Sequence, residues 1–261
     1  MSSSQIAPEP RRPSGGAKTF EALLRERRRL PDRTWNHSDD VITVLLAGDE
    51  PPPGTHGPLA ESYCVFVARH SPDVPAAQVA EVPRQCGGSG TFVSVTETGI
   101  VALIPRHAQQ RTVENFQQWL GGSLIAGVAT RKRTDIPSGY REAVQILDLA
   151  HATRRSPGVY RLANFLVEYA VTRHEFVSGS LASIVARLMT VQPVLYETLK
   201  ALVHVDFNRN DTAHDLFVHR STLDYRIARI AQLTGQDPMS RRGAQVLRAA
   251  LAAHTLARRS S

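Results

Sequence analysis

Short apolar runs and amphipathic stretches alternate through the middle of the chain. Continuous apolar or β-branched runs predict strands, and apolar positions three to four residues apart predict helices. The predicted strands are VITVLLAG (41–48), YCVFVARH (63–70), the two arms of a hairpin TFVSVTETGIVALIP (91–105), SLIAGVAT (123–130) and VYRL (159–162). The predicted helices cover 74–85, 111–120 and 139–155. Strands interleaved with helices indicate an α/β or α+β domain over residues 39–162.

Beyond residue 162 the pattern becomes helical throughout. Residues 163–190 predict two helices with a Gly-Ser break near Ser178–Ser180, and we expect them to link the first domain to the last. Residues 191–257 predict only helices and turns. Within them, DFNRNDTAHDLFVHRSTLDYRIARIAQLTG (206–235) predicts a short helix, a tight turn and a longer helix.

The apolar positions of 206–235 fit a helix-turn-helix, in which the second helix enters the major groove of DNA. A small residue is needed where the two helices approach, apolar residues fill the corner, and one stripe of the second helix faces the core. These positions are Ala213, then Leu216 and Val218, then Leu223, Ile227 and Ile230. The opposite side of the second helix is polar, basic and aromatic, as contact with phosphates and base edges requires.

Eight side chains are therefore candidates for contact with DNA: His219, Arg220, Ser221, Thr222, Asp224, Tyr225, Arg226 and Arg229. Ser221 or Thr222 is expected to start the second helix by capping a free N–H group. Asp224 either accepts from a cytosine amino group or pairs with Arg220. Structural alternatives stay open for three of the eight: Tyr225 packs on a neighbouring helix, His219 caps the turn, and Arg229 is a solvated surface residue.

Bulk composition indicates a globular protein. Hydrophobic residues make up 42% of the chain and charged residues 21%. No apolar run approaches the roughly 18–20 residues that cross a bilayer, and the N-terminus lacks the apolar core of a secretory signal. The two cysteines, Cys64 and Cys86, have no partner at metal-ligand spacing. A reduced, cytoplasmic protein without a membrane partner is the expectation.

Positive charge is concentrated at the two ends. The net charge is +7, with an excess of four in residues 1–38, a deficit of one in 39–190 and an excess of four in 191–261. Basic ends suit a polyanion, although an Arg-rich composition alone gives the same balance. Residues 1–18 are expected to be disordered. TFEALLRERRRL (19–30) predicts a basic amphipathic helix that Pro31 stops.

Chemical motifs are weak elsewhere. CGGSG (86–90) is not followed by the Lys-Ser/Thr of a phosphate-binding loop. His214 and His219 are five residues apart across a turn and have no third ligand nearby, so no metal site and no cofactor are expected. The run Arg131-Lys132-Arg133 either binds an anionic ligand or is a solvated loop.

Residues 195–238 resemble a known family. The leading helix LYETLKAL, the TA before the first motif helix, the run LFVHRSTLDYR and the trailing RIAQLTGQD are similar to the C-terminal helix-turn-helix of PucR/CdaR-type transcriptional regulators. The later segment GAQVLRAALAAHTL (243–256) fits the helix that closes that domain. The chain departs from the family pattern where the loop DFNRND (206–211) lacks a Gly, and where Ser221 replaces a common Asn.

The middle domain resembles the degenerate GGDEF-like α/β sandwich that precedes this helix-turn-helix in the same family. The hairpin TETGIVALIP (96–105) lies where a cyclase carries its GGDEF motif, SLIAGVA (123–129) where the next strand lies, and 140–162 has the form of the last helix and strand. A cyclase needs clustered carboxylates to hold divalent metal. The hairpin retains only Glu97, so the resemblance implies a module without catalytic activity.

These observations predict a transcriptional regulator that is not an enzyme and that binds double-stranded DNA. A single motif reads few base pairs, so a homodimer on two half-sites is expected, and an unidentified small-molecule or protein effector is a further candidate partner. Two alternatives remain. The middle domain binds a nucleotide and acts as a sensor, or the C-terminal helices serve as an assembly surface.

Overall fold

The computed structural model describes residues 39–54, 56–69, 76–96, 99–119 and 124–260. The expected N-terminal arm with its helix over 19–30 lies outside the described residues, as does Glu97. Among the helices of the described ranges, none combines the length and the apolar character that a bilayer span requires.

The first part of the described chain, here called the sheet unit (residues 39–160), is a five-stranded sheet with helices on both faces. Its strands are β1 (Ser62–Arg69), β2 (Phe92–Thr96), β3 (Gly99–Pro105), β4 (Ile125–Lys132) and β5 (Gly158–Tyr160). Its helices are α1 (Asp39–Ala47), α2 (Ala76–Gly87), α3 (Gln109–Trp119) and α4 (Ile136–Ala152). The strand order is β2-β3-β1-β4-β5, and every neighbouring pair is antiparallel except β4 and β5.

Alternate residues of the central strand β1 enter two separate cores. Cys64 and Phe66 pack with α2 and α3 on one face, and Tyr63 and Val65 pack with α1 and α4 on the other. A strand that is buried on both faces does not alternate between apolar and polar residues. This explains why the predicted strands are continuous apolar runs. The predicted hairpin is confirmed, with Thr96 paired to Gly99, and 159–162 does contribute an edge strand.

One strand prediction was wrong: residues 41–47 of the predicted strand 41–48 belong to helix α1. Its buried residues are Val41, Ile42, Leu45 and Leu46, which is the spacing of a helix face. Gly48 follows at φ 87° and ends the helix in a Schellman motif. The backbone N–H of Gly48 donates to Leu45 and that of Asp49 donates to Val44, both at 3.1 Å. A short apolar run does not distinguish helix from strand, and Gly48 was the available signal.

The second part, here called the helical unit (residues 166–260), contains six helices. They are α5 (Leu166–Thr172), α6 (Glu175–Val191), α7 (Pro193–His204), α8 (Arg209–Asp215), α9 (Arg220–Thr234) and α10 (Arg241–Ser260). The break predicted near Ser178–Ser180 was wrong. It lies at Arg173–His174, where the His174 ring caps α6. Gly179 stays within α6, because Val185 and Leu188 are buried in the core of the unit and outweigh a penalty of about 1 kcal/mol.

An apolar junction joins the two units. Ile146, Leu149 and Ala150 of α4 pack with Phe165 and with Ala252 of α10, and all five are buried. The face of α4 turned away from the sheet therefore supports the long C-terminal helix.

Candidate nucleic-acid interface

The second helix of the predicted motif is α9, and its inner stripe is confirmed. Leu223 and Ile230 are fully buried and Ile227 is 5% exposed. They pack with Leu199 and Leu202 of α7 in one apolar cluster. The stripe fixes the rotation of α9 about its own axis, so the identity of the outward residues follows from the sequence.

The corner between α8 and α9 is a second Schellman motif, with an aromatic residue where Gly is usual. The N–H of Phe217 donates to His214 and that of Val218 to Ala213, both at 3.0 Å. Phe217 has φ 52°, in the left-handed region that a bulky residue rarely adopts. Leu216 and Val218, on either side, are partly buried against the core as predicted.

The cap of α9 is the alternative left open for His219 and not the predicted Ser221 or Thr222. His219 is the N-cap, and its Nδ1 accepts from the backbone N–H of Ser221 at 3.3 Å. The same nitrogen lies 2.8 Å from Ser221 Oγ. Ser221 and Thr222 therefore lie inside the first turn instead of starting the helix. The sequence offered Ser and Thr as better caps, but the corner ends one residue earlier and leaves the cap to a ring nitrogen.

Four of the eight candidates project from the first turns of α9, and within the described chain no hydrogen bond or ion pair joins their side chains to another helix or strand. Arg220, Ser221 and Thr222 are exposed, and Tyr225 is 65% exposed. The alternative in which Tyr225 packs on a neighbouring helix does not hold within the described chain. These side chains form a polar, aromatic and cationic surface at the N-terminal end of the helix.

Three candidates have contacts within the protein. Asp224 pairs with Arg209 of α8, whose Nη1 lies 3.5 Å from the carboxylate, instead of with Arg220. Arg226 is half-buried, and its Nη1 lies 3.4 Å from the hydroxyl of Thr198 in α7. Arg229 donates from Nη1 to Gln232 Oε1 at 2.7 Å along the surface of α9.

Sequence reasoning missed two features of this surface. Phe217 is 92% exposed and lies beside the ring of His214, with the centroids 6.3 Å apart. Arg209 is attached to α9 through Asp224, although the two residues are far apart in sequence. The missing glycine in the turn LFVH was a usable signal for Phe217. No local signal pointed to the Arg209 pairing.

The two cysteines and the histidine pair have their contacts within the described chain. Burial raises the pKa of the Cys64 thiol to about 12, and Cys86 Sγ accepts a hydrogen bond from Asn115. Across the described ranges, no three His, Cys, Asp or Glu side chains are grouped to hold a metal ion. Of the pair His214 and His219, the first lies beside Asp215 and the second caps α9.

The corner before α8 shows how the loop 206–211 turns without the glycine that the family pattern has there. Asp206 and Phe207 adopt φ 53° and 61° in succession. Arg248 of α10 forms an ion pair with Asp206, and its guanidinium carbon lies 5.6 Å from the Phe207 ring centroid. One arginine therefore stabilises both strained residues and attaches the closing helix to the motif.

Comparison with known proteins indicates the family of this helix-turn-helix. Residues 195–253 match the PucR C-terminal helix-turn-helix domain. An uncharacterized protein of Mycobacterium tuberculosis is 34% identical over 214 residues, which cover 80% of this chain and 49% of that protein. The chain thus spans about half the length of the mycobacterial relatives that it matches. The transcriptional activator PmfR of Paenarthrobacter nicotinovorans is 41% identical over 63 residues, or 23% of this chain and 13% of the activator.

A solved structure, a regulator of polyketide synthase expression from Bifidobacterium adolescentis, aligns over 85% of this chain and 96% of its own, with 22% identity. Its TM-score of 0.35 is too low to establish a shared fold. The family of the C-terminal domain is therefore assigned from the sequence match and from the geometry of α8 and α9. By both, the C-terminal domain is of the PucR helix-turn-helix type.

Proposed function

We propose that this chain is a DNA-binding transcriptional regulator that reads the major groove with α9. The observation that carries the proposal is the division of α9 into two faces. Leu223, Ile227 and Ile230 are buried, and Arg220, Thr222 and Tyr225 stand free on the other side. A helix held by one face and polar on the other is what groove recognition requires.

The side chains of α9 divide into two proposed roles. Arg220, Ser221, Thr222 and Tyr225 contact phosphates and base edges, because the first turns of a recognition helix lie deepest in the groove. Asp224 orients Arg209, the first residue of α8, toward the backbone that the first helix crosses. Arg229 and Arg226 reach phosphates from the flanks of the helix, with Arg226 exchanging its contact to Thr198 for one to DNA.

A homodimer is part of the proposal. One helix-turn-helix reads only a few base pairs, and two copies on half-sites one helical turn apart give useful specificity. The predicted operator is therefore a pseudo-palindrome.

For the sheet unit we propose a degenerate GGDEF-like module that carries no catalytic activity. The hairpin β2–β3, the strand β4, and α4 followed by β5 occur in the chain order that this resemblance implies. Calorimetry of the full chain with nucleoside triphosphates and cyclic dinucleotides tests the proposal. Turnover of any of them would contradict it, and binding without turnover would favour the sensor alternative.

Selection of duplexes from a random pool tests DNA binding directly, with the full chain as bait. We expect enrichment of one pseudo-palindromic motif. Failure to enrich any sequence would contradict the proposal and favour an assembly surface. On the selected duplex, the double variant Arg226→Ala/Arg229→Ala should bind more weakly, and the slope of log K against log salt should become shallower by about 0.9 per lost phosphate contact.

The matched control is Arg84→Ala/Arg106→Ala, which removes the same charge from exposed positions of the sheet unit. Its affinity and its salt slope should stay close to those of the parent. If the α9 double variant also keeps its affinity and slope, Arg226 and Arg229 are not DNA contacts.

A further inference from the structure

A cleft of about 470 Å³ lies between the first half of α4 and the end of α5. Its walls carry polar side chains, among them Ser138, Arg141 and Gln145 from α4, and Tyr169 and Arg173 from α5 and its C-cap. The volume falls in the range of small-molecule sites. None of these residues takes part in the proposed DNA contacts.

Two arginines without acidic partners converge on this cleft. Arg141 and Arg173 form no ion pair with any residue of the described ranges. Glu142 lines the cleft, but its carboxylate forms an ion pair with Arg131. The positive charge of the cleft is therefore not neutralised from within the described part of the protein.

Arg173 is held in place by its neighbours. Its guanidinium carbon lies 5.4 Å from the centre of the Tyr169 ring, and Nη1 donates to Tyr169 Oη at 3.0 Å. A second, longer contact of 3.5 Å reaches Gln145 Oε1 on the opposite wall. A guanidinium with a fixed plane binds an oxyanion at a smaller entropic cost than a free one, and its fork matches the oxygens of phosphate or carboxylate.

We propose that this cleft binds a small, multiply charged oxyanion, held between Arg141 and Arg173. A phosphate ester and a dicarboxylate share the required chemistry. The anion offsets the repulsion between the two guanidinium groups, and the Ser138 hydroxyl and the Gln145 amide supply further donors.

Because of its position, the cleft connects anion binding to the junction between the two units. Tyr169 lines the cleft and also packs against the apolar junction between α4 and α10. An anion between Arg141 and Arg173 therefore ties the sheet unit to the helical unit that carries α9. Regulation of DNA binding by this anion rests on the proposed function, but the anion site does not.

Calorimetric titration of the full chain at constant ionic strength tests the site, with inorganic phosphate, glycerol 3-phosphate and succinate as the probes. We expect saturable binding of at least one probe at one per chain. Arg141→Ala and Arg173→Gln should each weaken that binding by about tenfold or more. Preference for glycerol 3-phosphate or for succinate distinguishes the two ligand chemistries.

Arg187→Ala is the control, since Arg187 is exposed on α6, outside the cleft, and the variant loses the same charge. It should bind within about twofold of the parent. Arg141 is exposed and forms no ion pair among the described residues, so its variant is expected to keep the fold and to report on binding. Absence of saturable binding with all three probes, or equal binding by the Arg141 variant, would overturn the proposal.

A second measurement addresses regulation separately. The affinity for the selected duplex is compared with and without a saturating probe at constant ionic strength. A change that Arg141→Ala abolishes supports the regulatory role, and an unchanged affinity overturns it while leaving the anion site in place. A chain that binds the anion but no duplex would refute the proposed function and not the site.

Discussion

The sheet unit and the helical unit bury their side chains in different ways. Every residue of β3 is buried, because helices cover both faces of the sheet. In α9 only one face is buried, and the other stands free. Among the described residues of the sheet unit, Val95 is the one exposed large apolar side chain, whereas the helical unit exposes Phe176, Phe217 and Tyr225 among others.

This difference shows which unit can recognise a macromolecule with its regular elements. A sheet covered on both faces leaves only helix backs, edges and loops for binding. A small helical domain cannot surround α9, so part of that helix always faces solvent. We infer that the sheet unit supplies rigidity and one wall of the ligand cleft, and that the helical unit supplies the other wall and the recognition surface.

The largest effect is expected from truncating a side chain on the buried face of α9, compared with one on its exposed face. Leu223→Ala removes a fully buried side chain and should lower the free energy of unfolding by about 2–5 kcal/mol. Tyr225→Ala, two residues away on the exposed face, should change it by less than about 0.5 kcal/mol. Urea unfolding followed by circular dichroism measures both.

Binding to the selected duplex completes that comparison. Tyr225→Ala should lose affinity by about tenfold while keeping its fold. Unchanged DNA affinity would show that Tyr225 is not part of the recognition surface, and loss of stability would show that its ring packs within the protein.

The second test concerns the close contact of α4 with β4 in the sheet unit. A Cβ at Gly127 would lie 2.1 Å from the carbonyl oxygen of Ala143 and 2.9 Å from the nitrogen of Leu147, both backbone atoms of α4. Gly127→Ala must push helix and sheet apart, and should lower the free energy of unfolding by about 3 kcal/mol.

Gly179→Ala is the matched change in the helical unit. Nothing lies within 4 Å of the Cβ that it would add, and the residue is exposed within α6. It should raise the free energy of unfolding by up to about 1 kcal/mol through helix propensity. The same chemical change thus has opposite signs in the two units, and equal signs would contradict the packing described for β4.

Much of this fold could be predicted from the residue pattern, because most elements carry a period of their own. The hairpin, the helix at 139–155 and the stripe of α9 follow from spacing and turn residues. Residues 41–48 show where the pattern fails, and β3, which it predicted correctly, shows why. Both are short apolar runs, and only tertiary packing, with α1 lying on the sheet that contains β3, makes one a helix and the other a strand.

For the candidate site, the sequence predicted which face of α9 is exposed, but not which contacts its side chains make. Apolar spacing determined which residues of α9 point outward. It did not show that His219 caps α9 or that Asp224 pairs with Arg209, because these depend on where the corner ends and on how two helices cross. The arginine cleft was equally invisible, since Arg141 and Arg173 meet only through the folding of α4 against α5.

The third test concerns a polar group buried in the helical unit. His254 of α10 is 7% exposed, packs on Tyr196 with ring centroids 5.8 Å apart, and its Nε2 has no hydrogen-bond partner among the described residues. Burial first, and then the charge of Arg258, lower the pKa of His254. His254→Leu removes the unsatisfied nitrogen and should raise the free energy of unfolding by about 1 kcal/mol near neutral pH.

The pH dependence has a definite sign. The unfolded chain takes up the His254 proton as pH falls below about 6.5, before the folded chain does, so stability falls with pH in that range. His254→Leu should lose less stability than the parent between about pH 7.5 and 5.5. His107→Leu, at an exposed position of the sheet unit, is the matched control, and a parental pH profile in the His254 variant would contradict this account.

The smallest effect is expected at Phe217, where the exposed surface carries backbone strain. Its φ of 52° costs a residue with a Cβ about 1–2 kcal/mol, and its side chain, 92% exposed, gains almost no burial in return. Phe217→Gly relieves the strain but gives the unfolded chain more freedom, so a net rise of about 0.5–1 kcal/mol in the free energy of unfolding is expected.

Gly235→Ala makes the reverse change at the C-terminal end of α9, where φ is 70° and space is open, and should lower the free energy of unfolding by a similar amount. If Phe217→Gly is destabilising, then the aromatic ring stabilises the corner by a contact that its exposure does not show. A more stable variant with weaker DNA binding would instead mean that the strain is maintained because the ring touches DNA.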